Sequence, residues 1–262
     1  MKIRAKKHLG QHFLTDKNIS LKIVEVFVDL LGNMPALEVG PGKGILTEIL
    51  LKKNIKLYAV EIDSECVALL EKKYPKLILH NANFLKMDFS AIFPKKIGII
   101  GNFPYNISSQ ILFKMIENRQ QIPLMLGMFQ KEVAERIVAP PGNKTYGILS
   151  VITQAYYDIK YLFTVNEGVF TPPPKVKSAV VRFKRNKNKT LMCDEVLFHR
   201  VVKMSFNHRR KTLRNSLKEY SQKINTENKI WSLRPEQLSV DDFVELTSII
   251  EAFWGNDKKS YY

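Results

Sequence analysis

The chain has 262 residues, 45% of them hydrophobic, and Lys plus Arg outnumber Asp plus Glu by 41 to 25, a formal charge of +16. That is enough apolar material for one large domain, or a medium one with an appendage, and the charge points to a polyanionic partner, nucleic acid before a membrane surface. No long apolar segment supports a membrane span, and Cys66 and Cys193, far apart and outside any C-x-x-C spacing, exclude a disulfide framework or a cysteine-based zinc site.

Met1 to His12 is basic, with Lys2, Arg4, Lys6 and Lys7 and no acid, and lacks the apolar core of a secretion signal. It reads as a flexible basic arm on a soluble, cytoplasmic protein. An amphipathic helix is expected from about Asn18 to Leu31, capped by Asp16. From Ala36 onward short apolar runs alternate with helical patterns. Strands are expected at Ala36–Val39, Lys56–Glu61, Leu77–His80, Ile97–Gly101 and Leu124–Phe129, with helices at Ile45–Lys53, Ser64–Lys73 and Ser108–Asn118 between them. This alternation argues an α/β fold, a parallel sheet with helices on both faces. Tyr157–Val165 and Ser178–Lys184 read as late strands forming an antiparallel edge, separated by Pro172-Pro173-Pro174, which no central strand accommodates. Lys184 to Thr190, rich in Lys and Asn, reads as a linker, and Asp194 to Trp254 as helical throughout. The boundary is placed near residue 188, giving an α/β domain over 1–188 and a small all-α domain over 189–262.

Glu38-Val39-Gly40-Pro41-Gly42-Lys43-Gly44 follows the first strand and opens a helix. Glycines there let a ligand approach the backbone, and a helix N-terminus attracts negative groups. A Walker A loop is excluded, because Gly44 stands where Ser or Thr is required. Glu61 ends the second strand about 20 residues after the glycines, where a carboxylate accepts ribose hydroxyls. Together they imply an adenosine-containing cofactor, either a nicotinamide dinucleotide or S-adenosylmethionine. Asn102-Phe103-Pro104-Tyr105, at the end of a buried strand on the same sheet edge, decides between them. The Asn102 amide oxygen and the Pro104 carbonyl each accept a hydrogen from an exocyclic amine, and Tyr105 offers a stacking face. A nucleobase amine gripped in this way aims its lone pair at a methyl donor. Each feature has a plainer rival: a capped loop, a tight turn, a solvated strand-end acid.

Gln11-His12-Phe13-Leu14, Glu38 to Gly44, Glu61, Asn102 to Asn106, Gln130-Lys131-Glu132-Val133, Phe170 to Val176 and Phe206 to Leu217 occur in that order. Together they closely resemble the KsgA-type small-subunit ribosomal RNA adenine dimethyltransferases, from Lys7 to about Phe253. The resemblance implies a Rossmann-like S-adenosylmethionine-dependent methyltransferase domain with a small helical domain behind it. It implies transfer of methyl groups to N6 of two adjacent adenosines near the 3′ end of 16S rRNA by a monomer that meets the small ribosomal subunit, without a metal. By position, His12 and Leu14 would close over the cofactor's methionine end, Gly40 and Gly42 form the glycine floor, Glu61 hold the ribose and Asn83 the adenine. Asn102 would stand where cofactor and target meet, and Tyr105 and Phe170 would sandwich the target base, with core packing the rival for Phe170. The chain departs from the family at Asn83, where an acid is frequent (Asp88 is the fallback), at Phe103, where Leu is usual, and at His12, where Asn is frequent.

Between Arg185 and Tyr220 ten Lys or Arg face three acids. Arg209, Arg210, Lys211 and Arg214 are expected on one helix, some on one face, to meet RNA phosphates; a solvated helix face is the rival. Other functions consistent with the residues are large-subunit rRNA methylation, DNA adenine methylation, and a ribosome-assembly factor that binds the subunit with little catalysis. The run from Phe206 to Leu217 matches the small-subunit type better.

Overall fold

The computed structural model describes residues 3–93, 95–186 and 191–258, and its contacts divide the chain into two units, Met1–Ala134 with Asp158–Arg185 and Glu135–Tyr157 with Asn186–Tyr262. The first unit contains β1 (Phe13–Leu14), α1 (Lys17–Leu31), β2 (Ala36–Val39), α2 (Ile45–Leu51), β3 (Leu57–Glu61), α3 (Ser64–Lys73), β4 (Ile78–Asn81), α4 (Phe89–Ile92), β5 (Gly98–Asn102), α5 (Ser108–Glu117) and β6 (Leu124–Gln130). The later strands β7 (Tyr157–Val165), β8 (Phe170–Thr171) and β9 (Ser178–Arg185) return to it.

Seven strands form one sheet in the order β4-β3-β2-β5-β6-β9-β7. Strands β4 to β6 run parallel, and β9 lies antiparallel to β6 with Leu124 opposite Lys184 and Gln130 opposite Ser178. The expected antiparallel edge is therefore present. Strands β2, β5 and β6 are buried along nearly their whole length, which is why they read as unbroken apolar runs instead of alternating ones. Helix α1 buries Ile23, Val24, Phe27 and Leu31, the stripe of a period-3.6 helix, and Asp16 caps it by accepting from the Ile19 N–H at 2.9 Å. Sequence order reverses at β2, whose neighbours β3 and β5 lead to opposite edges. A parallel sheet opens a crevice at the carboxyl ends of its strands at such a point.

The N-terminal segment corrects an expectation. It is docked in this structure: Ile3 is 5% exposed and packs with Phe13 and Cys66, and the Lys6 ammonium reaches the Asp63 carboxylate at 2.5 Å. A basic stretch without periodicity carries no sign of the buried acid that receives it. The pair β1 and β8, two residues each, joins Leu14 to Phe170 and Phe13 to Thr171, and was too short to be legible.

The second unit holds the second half of α6 (Lys131–Val138), together with α7 (Ile148–Tyr156), α8 (Glu195–Asn207), α9 (Leu213–Ser216), α10 (Lys218–Ser221) and α11 (Val240–Lys258). Phe198, Val202, Leu213, Trp231, Phe243 and Leu246 are buried in it. A boundary at 188 left Glu135–Tyr157 with the sheet, whereas in the structure α7 neighbours α8 and α11. The apolar face of α7 (Val151, Ile152, Ala155) shows that it packs, not on what. The expected linker falls largely on residues 187–190, outside the described residues.

Candidate active site

The crevice at the carboxyl ends of β2, β3 and β5 is a cavity with an empty volume of about 710 Å3, part of it open to solvent. Its walls include His12, Phe13 and Leu14 from the N-terminal segment, Glu38 and the Gly40–Lys43 turn after β2, Glu61 and Ile62 after β3, and Asn102 to Tyr105 after β5. Gly40 and Gly42 have φ of +68° and +56°, the left-handed region glycine adopts without strain. A Cβ at Gly40 would meet nothing within 4 Å, whereas one at Gly42 would strike the Phe13 ring at 2.9 Å. Gly40 thus leaves room for a ligand, and Gly42 makes room for Phe13.

Two buried carboxylates line this cavity. Glu61 is held by three backbone N–H groups: Gly42 donates to Oε2 at 3.0 Å, and Ile62 and Asp63 donate to Oε1 at 2.9 Å each. Burial raises its pKa, and those hydrogen bonds only partly oppose the rise. A carboxylate offers about four acceptor positions, so the remaining one lies at Oε2, beside Gly42. Glu38 carries no role in the sequence reading, yet it is 1% exposed and its Oε2 accepts from Thr47 Oγ1 at 2.7 Å. Burial, with the Glu61 charge nearby, pushes its pKa up to about 8. The available signal was an acid inside the apolar run Ala36-Leu37-Glu38-Val39.

At the opposite wall Asn102 Nδ2 donates to the His12 carbonyl at 2.7 Å. That bond sets the amide so that Oδ1 is left to accept. The Pro104 carbonyl receives two long bonds, from Ile107 N at 3.3 Å and Ser108 Oγ at 3.4 Å, which a closer, better-aligned donor can displace. The Tyr105 hydroxyl is tied to Ser178 Oγ at 2.5 Å, and its ring stacks on His12 with centroids 5.5 Å apart and planes 24° apart. His12 is itself anchored by a hydrogen bond between Nδ1 and the Pro172 carbonyl, 2.9 Å.

Three expected residues sit elsewhere. Phe170 is 3% exposed and packs with Leu14, Ile23 and Val24 in the core, so the ring facing Tyr105 is His12. Leu14 pulls it there through the β1–β8 pairing. Asn83 does not line the cavity; its Oδ1 caps the turn at Phe84–Lys86 by accepting from the Leu85 N–H at 2.9 Å. Asp88, the fallback, caps α4. Phe103, 1% exposed, packs edge-on against Phe129 and lies over Gly101 and Gly127, paired glycines on β5 and β6. A Cβ at Gly127 would meet the Phe103 ring at 2.2 Å. The residue between Asn102 and Pro104 is thus a core anchor for the loop.

In the second unit the basic run is not a single helix. α8 ends at Asn207, so Arg209, Arg210 and Lys211 lie in a turn and only Arg214 is helical, in α9. The Thr212 cap of α9 interrupts the helical path. Arg209 is partly committed, donating to the Asn143 carbonyl at 3.2 Å beside Glu236, and Arg214 donates to the Thr226 carbonyl at 2.8 Å. Arg210, Lys211 and Arg214 are exposed.

A sequence model of the family described as "Ribosomal RNA adenine dimethylase" matches residues 2–251. The chain belongs to that family. Proteins called ribosomal RNA small subunit methyltransferase A from Bacteroides thetaiotaomicron and Flavobacterium johnsoniae are each 54% identical to this dimethylase, over 95% and 96% of its length and 95% and 97% of theirs. Among solved structures, a dimethyladenosine transferase from Plasmodium falciparum is similar with a TM-score of 0.77 and 25% identity, covering 90% of this chain and 96% of that one. The 23S rRNA methyltransferase ErmE shares the fold, with a TM-score of 0.67 and 24% identity over 90% of this chain and 99% of its own. The dimethylase fold is accordingly Rossmann-like, as the family resemblance implied.

Proposed function

We propose that this chain dimethylates N6 of two adjacent adenosines near the 3′ end of 16S rRNA, within the small ribosomal subunit or its precursor. It is an S-adenosylmethionine-dependent ribosomal RNA adenine dimethyltransferase; the identity of the adenosines and the residue roles below are our reading. The observation that carries the reading is the Asn102 amide, fixed by the His12 carbonyl with its oxygen left to accept, on the cavity that also contains Glu61 and the Gly40–Gly42 turn.

The residues fit the cofactor: a crevice at the sheet's reversal point, open space above Gly40, and the Glu61 and Glu38 side chains, which can meet hydroxyl groups. S-adenosylmethionine supplies a methyl group already activated on a sulfonium. Asn102 Oδ1 and the Pro104 carbonyl accept the two N6 hydrogens of a target adenine removed from its stack. This draws the nitrogen toward a tetrahedral, more nucleophilic form and stabilises the positive charge that develops on it. Tyr105, held by Ser178 and His12, supplies the stacking face. Methyl transfer of this kind is an in-line displacement, so positioning supplies most of the acceleration and no strong base is needed. Arg210, Lys211 and Arg214, the exposed members of the run, are the side chains we assign to RNA phosphates, Arg214 through the N–H groups its bond to Thr226 leaves over, while Arg209 is half-buried beside Glu236. The 54% identity to small-subunit methyltransferases, against 24% to a 23S rRNA enzyme, favours the small subunit as substrate.

The test incubates the protein and labelled S-adenosylmethionine with unmodified small subunits, naked 16S rRNA and large subunits, followed by digestion to nucleosides. Label in N6,N6-dimethyladenosine from small-subunit material alone is expected. Label only in large-subunit RNA, or none in any particle, overturns the assignment.

A further inference from the structure

Asp63 is a buried acid with no part in the chemistry above, yet both the N-terminal segment and Glu61 are bound to it. Its side chain is fully buried. Oδ1 receives the Lys6 ammonium at 2.5 Å and the Glu65 N–H at 3.1 Å, and Oδ2 receives Gln11 Nε2 at 2.9 Å. The Lys6 N–H donates in turn to Gln11 Oε1 at 2.8 Å, which closes a loop of the N-terminal segment around the carboxylate. The backbone N–H of the same Asp63 donates to Glu61 Oε1 at 2.9 Å.

We infer that Asp63 is a positioning residue for cofactor binding, fastening the N-terminal segment across the cavity and holding the Glu61 carboxylate at the same point. This rests on the reading of the cavity as the S-adenosylmethionine site. Leu9 to Leu14 form one wall of that cavity. The wall is secured on the target side by Asn102 and by the β1–β8 pairing, and on the Glu61 side by Lys6 and Gln11. Without Asp63, Leu9 to Gln11 would be held on that side by Ile3, the neighbouring apolar contacts and the half-exposed pair of Lys6 with Glu65, 3.0 Å apart. The charge is essential to it: an uncompensated carboxylate with no solvent access is costly, so Lys6 and Asp63 are bound to each other. Burial alone would raise the Asp63 pKa, and the hydrogen bonds from Lys6 and Gln11 outweigh it and hold the carboxyl below its usual range.

Asp63 also caps α3. Asp63→Asn separates the two roles, because Asn caps a helix about as well but offers no charge to Lys6. Cofactor affinity of the full chain is measured by titration calorimetry, and exchange protection of residues 3–14 by hydrogen exchange, for Asp63→Asn, Lys6→Met, Lys6→Arg and the Lys6→Met/Asp63→Asn pair. The expected results are a roughly tenfold rise in Kd for S-adenosylmethionine in Asp63→Asn, with faster exchange at 3–14. A several-fold rise is expected in Lys6→Met, near-normal affinity in Lys6→Arg, and a double variant no weaker than Asp63→Asn alone. Wild-type affinity in Asp63→Asn overturns the inference, as does loss of affinity with unchanged protection at 3–14, or fully additive effects in the pair. Should Asp63→Asn not fold, Lys6→Met decides alone: unchanged Kd overturns the inference, and a rise reversed by Lys6→Arg sustains it. A wild-type protein that binds no S-adenosylmethionine would instead defeat the reading of the cavity.

Discussion

Glu38→Gln isolates the electrostatic strain in the cavity. Glu38 is 1% exposed, with one hydrogen bond from Thr47 and a second buried carboxylate nearby, and its pKa is pushed up from 4.5 to about 8. The folded protein therefore holds this proton more tightly than the unfolded chain does. The stabilisation is complete below the unfolded value of 4.5 and is lost as pH rises toward the folded value of about 8. At roughly 1.4 kcal/mol per pH unit of difference, the loss reaches about 3 kcal/mol by neutral pH and about 5 kcal/mol once the folded group has ionised. Gln keeps the shape and still accepts from Thr47, but has no proton to release. Hydrogen exchange at Ala36–Val39 in the cofactor-free protein, at about pH 5, 7 and 9, reads opening of the sheet unit in each variant. The wild type is expected to lose roughly 4 kcal/mol relative to Glu38→Gln across that range, the order of ~10 °C in Tm. Parallel pH profiles for the two proteins would refute the reasoning and place the Glu38 carboxylate in contact with water.

Asn102→Ala should lower methyl transfer to small subunits by at least ~10²–10³-fold while leaving subunit binding within about twofold, measured by label incorporation and filter binding; undiminished turnover removes Asn102 from the reaction. Replacing Arg210 and Arg214 by Ala should reduce the slope of log affinity against log salt for subunit binding by roughly 1–2, because each lost phosphate contact accounts for about 0.7–0.9. An unchanged slope returns them to an ordinary solvated surface. Gly127→Ala drives a methyl group into the Phe103 ring at 2.2 Å and should cost ~1–3 kcal/mol in urea unfolding. Adding Phe103→Leu should recover part of that cost, and a double variant less stable than Gly127→Ala alone would show that the ring does not lie over that glycine.

Local pattern carried much of this protein. Unbroken apolar runs alternating with amphipathic helices determined the parallel sheet, because a strand buried on both faces and a helix buried on one leave different periodicities. The glycine turn was legible for a local reason too: backbone at positive φ restricts the residue types at a few adjacent positions. What the sequence left open depends on residues far apart in the chain. Nothing in Lys6, Gln11 and Asp63 shows that they meet, since the bond between Lys6 and Asp63 spans 57 positions and follows from how the N-terminal segment crosses the end of the sheet. Asn83 offered the side chain a cofactor contact requires, and one local backbone donor, the Leu85 N–H, engages its oxygen. Phe170 looked available for stacking until the pairing of β1 with β8 turned it into the core. Periodicity reports whether a side chain is buried; only the folded chain decides which neighbours bury it, because long-range packing and the competition among hydrogen-bond partners are settled all at once.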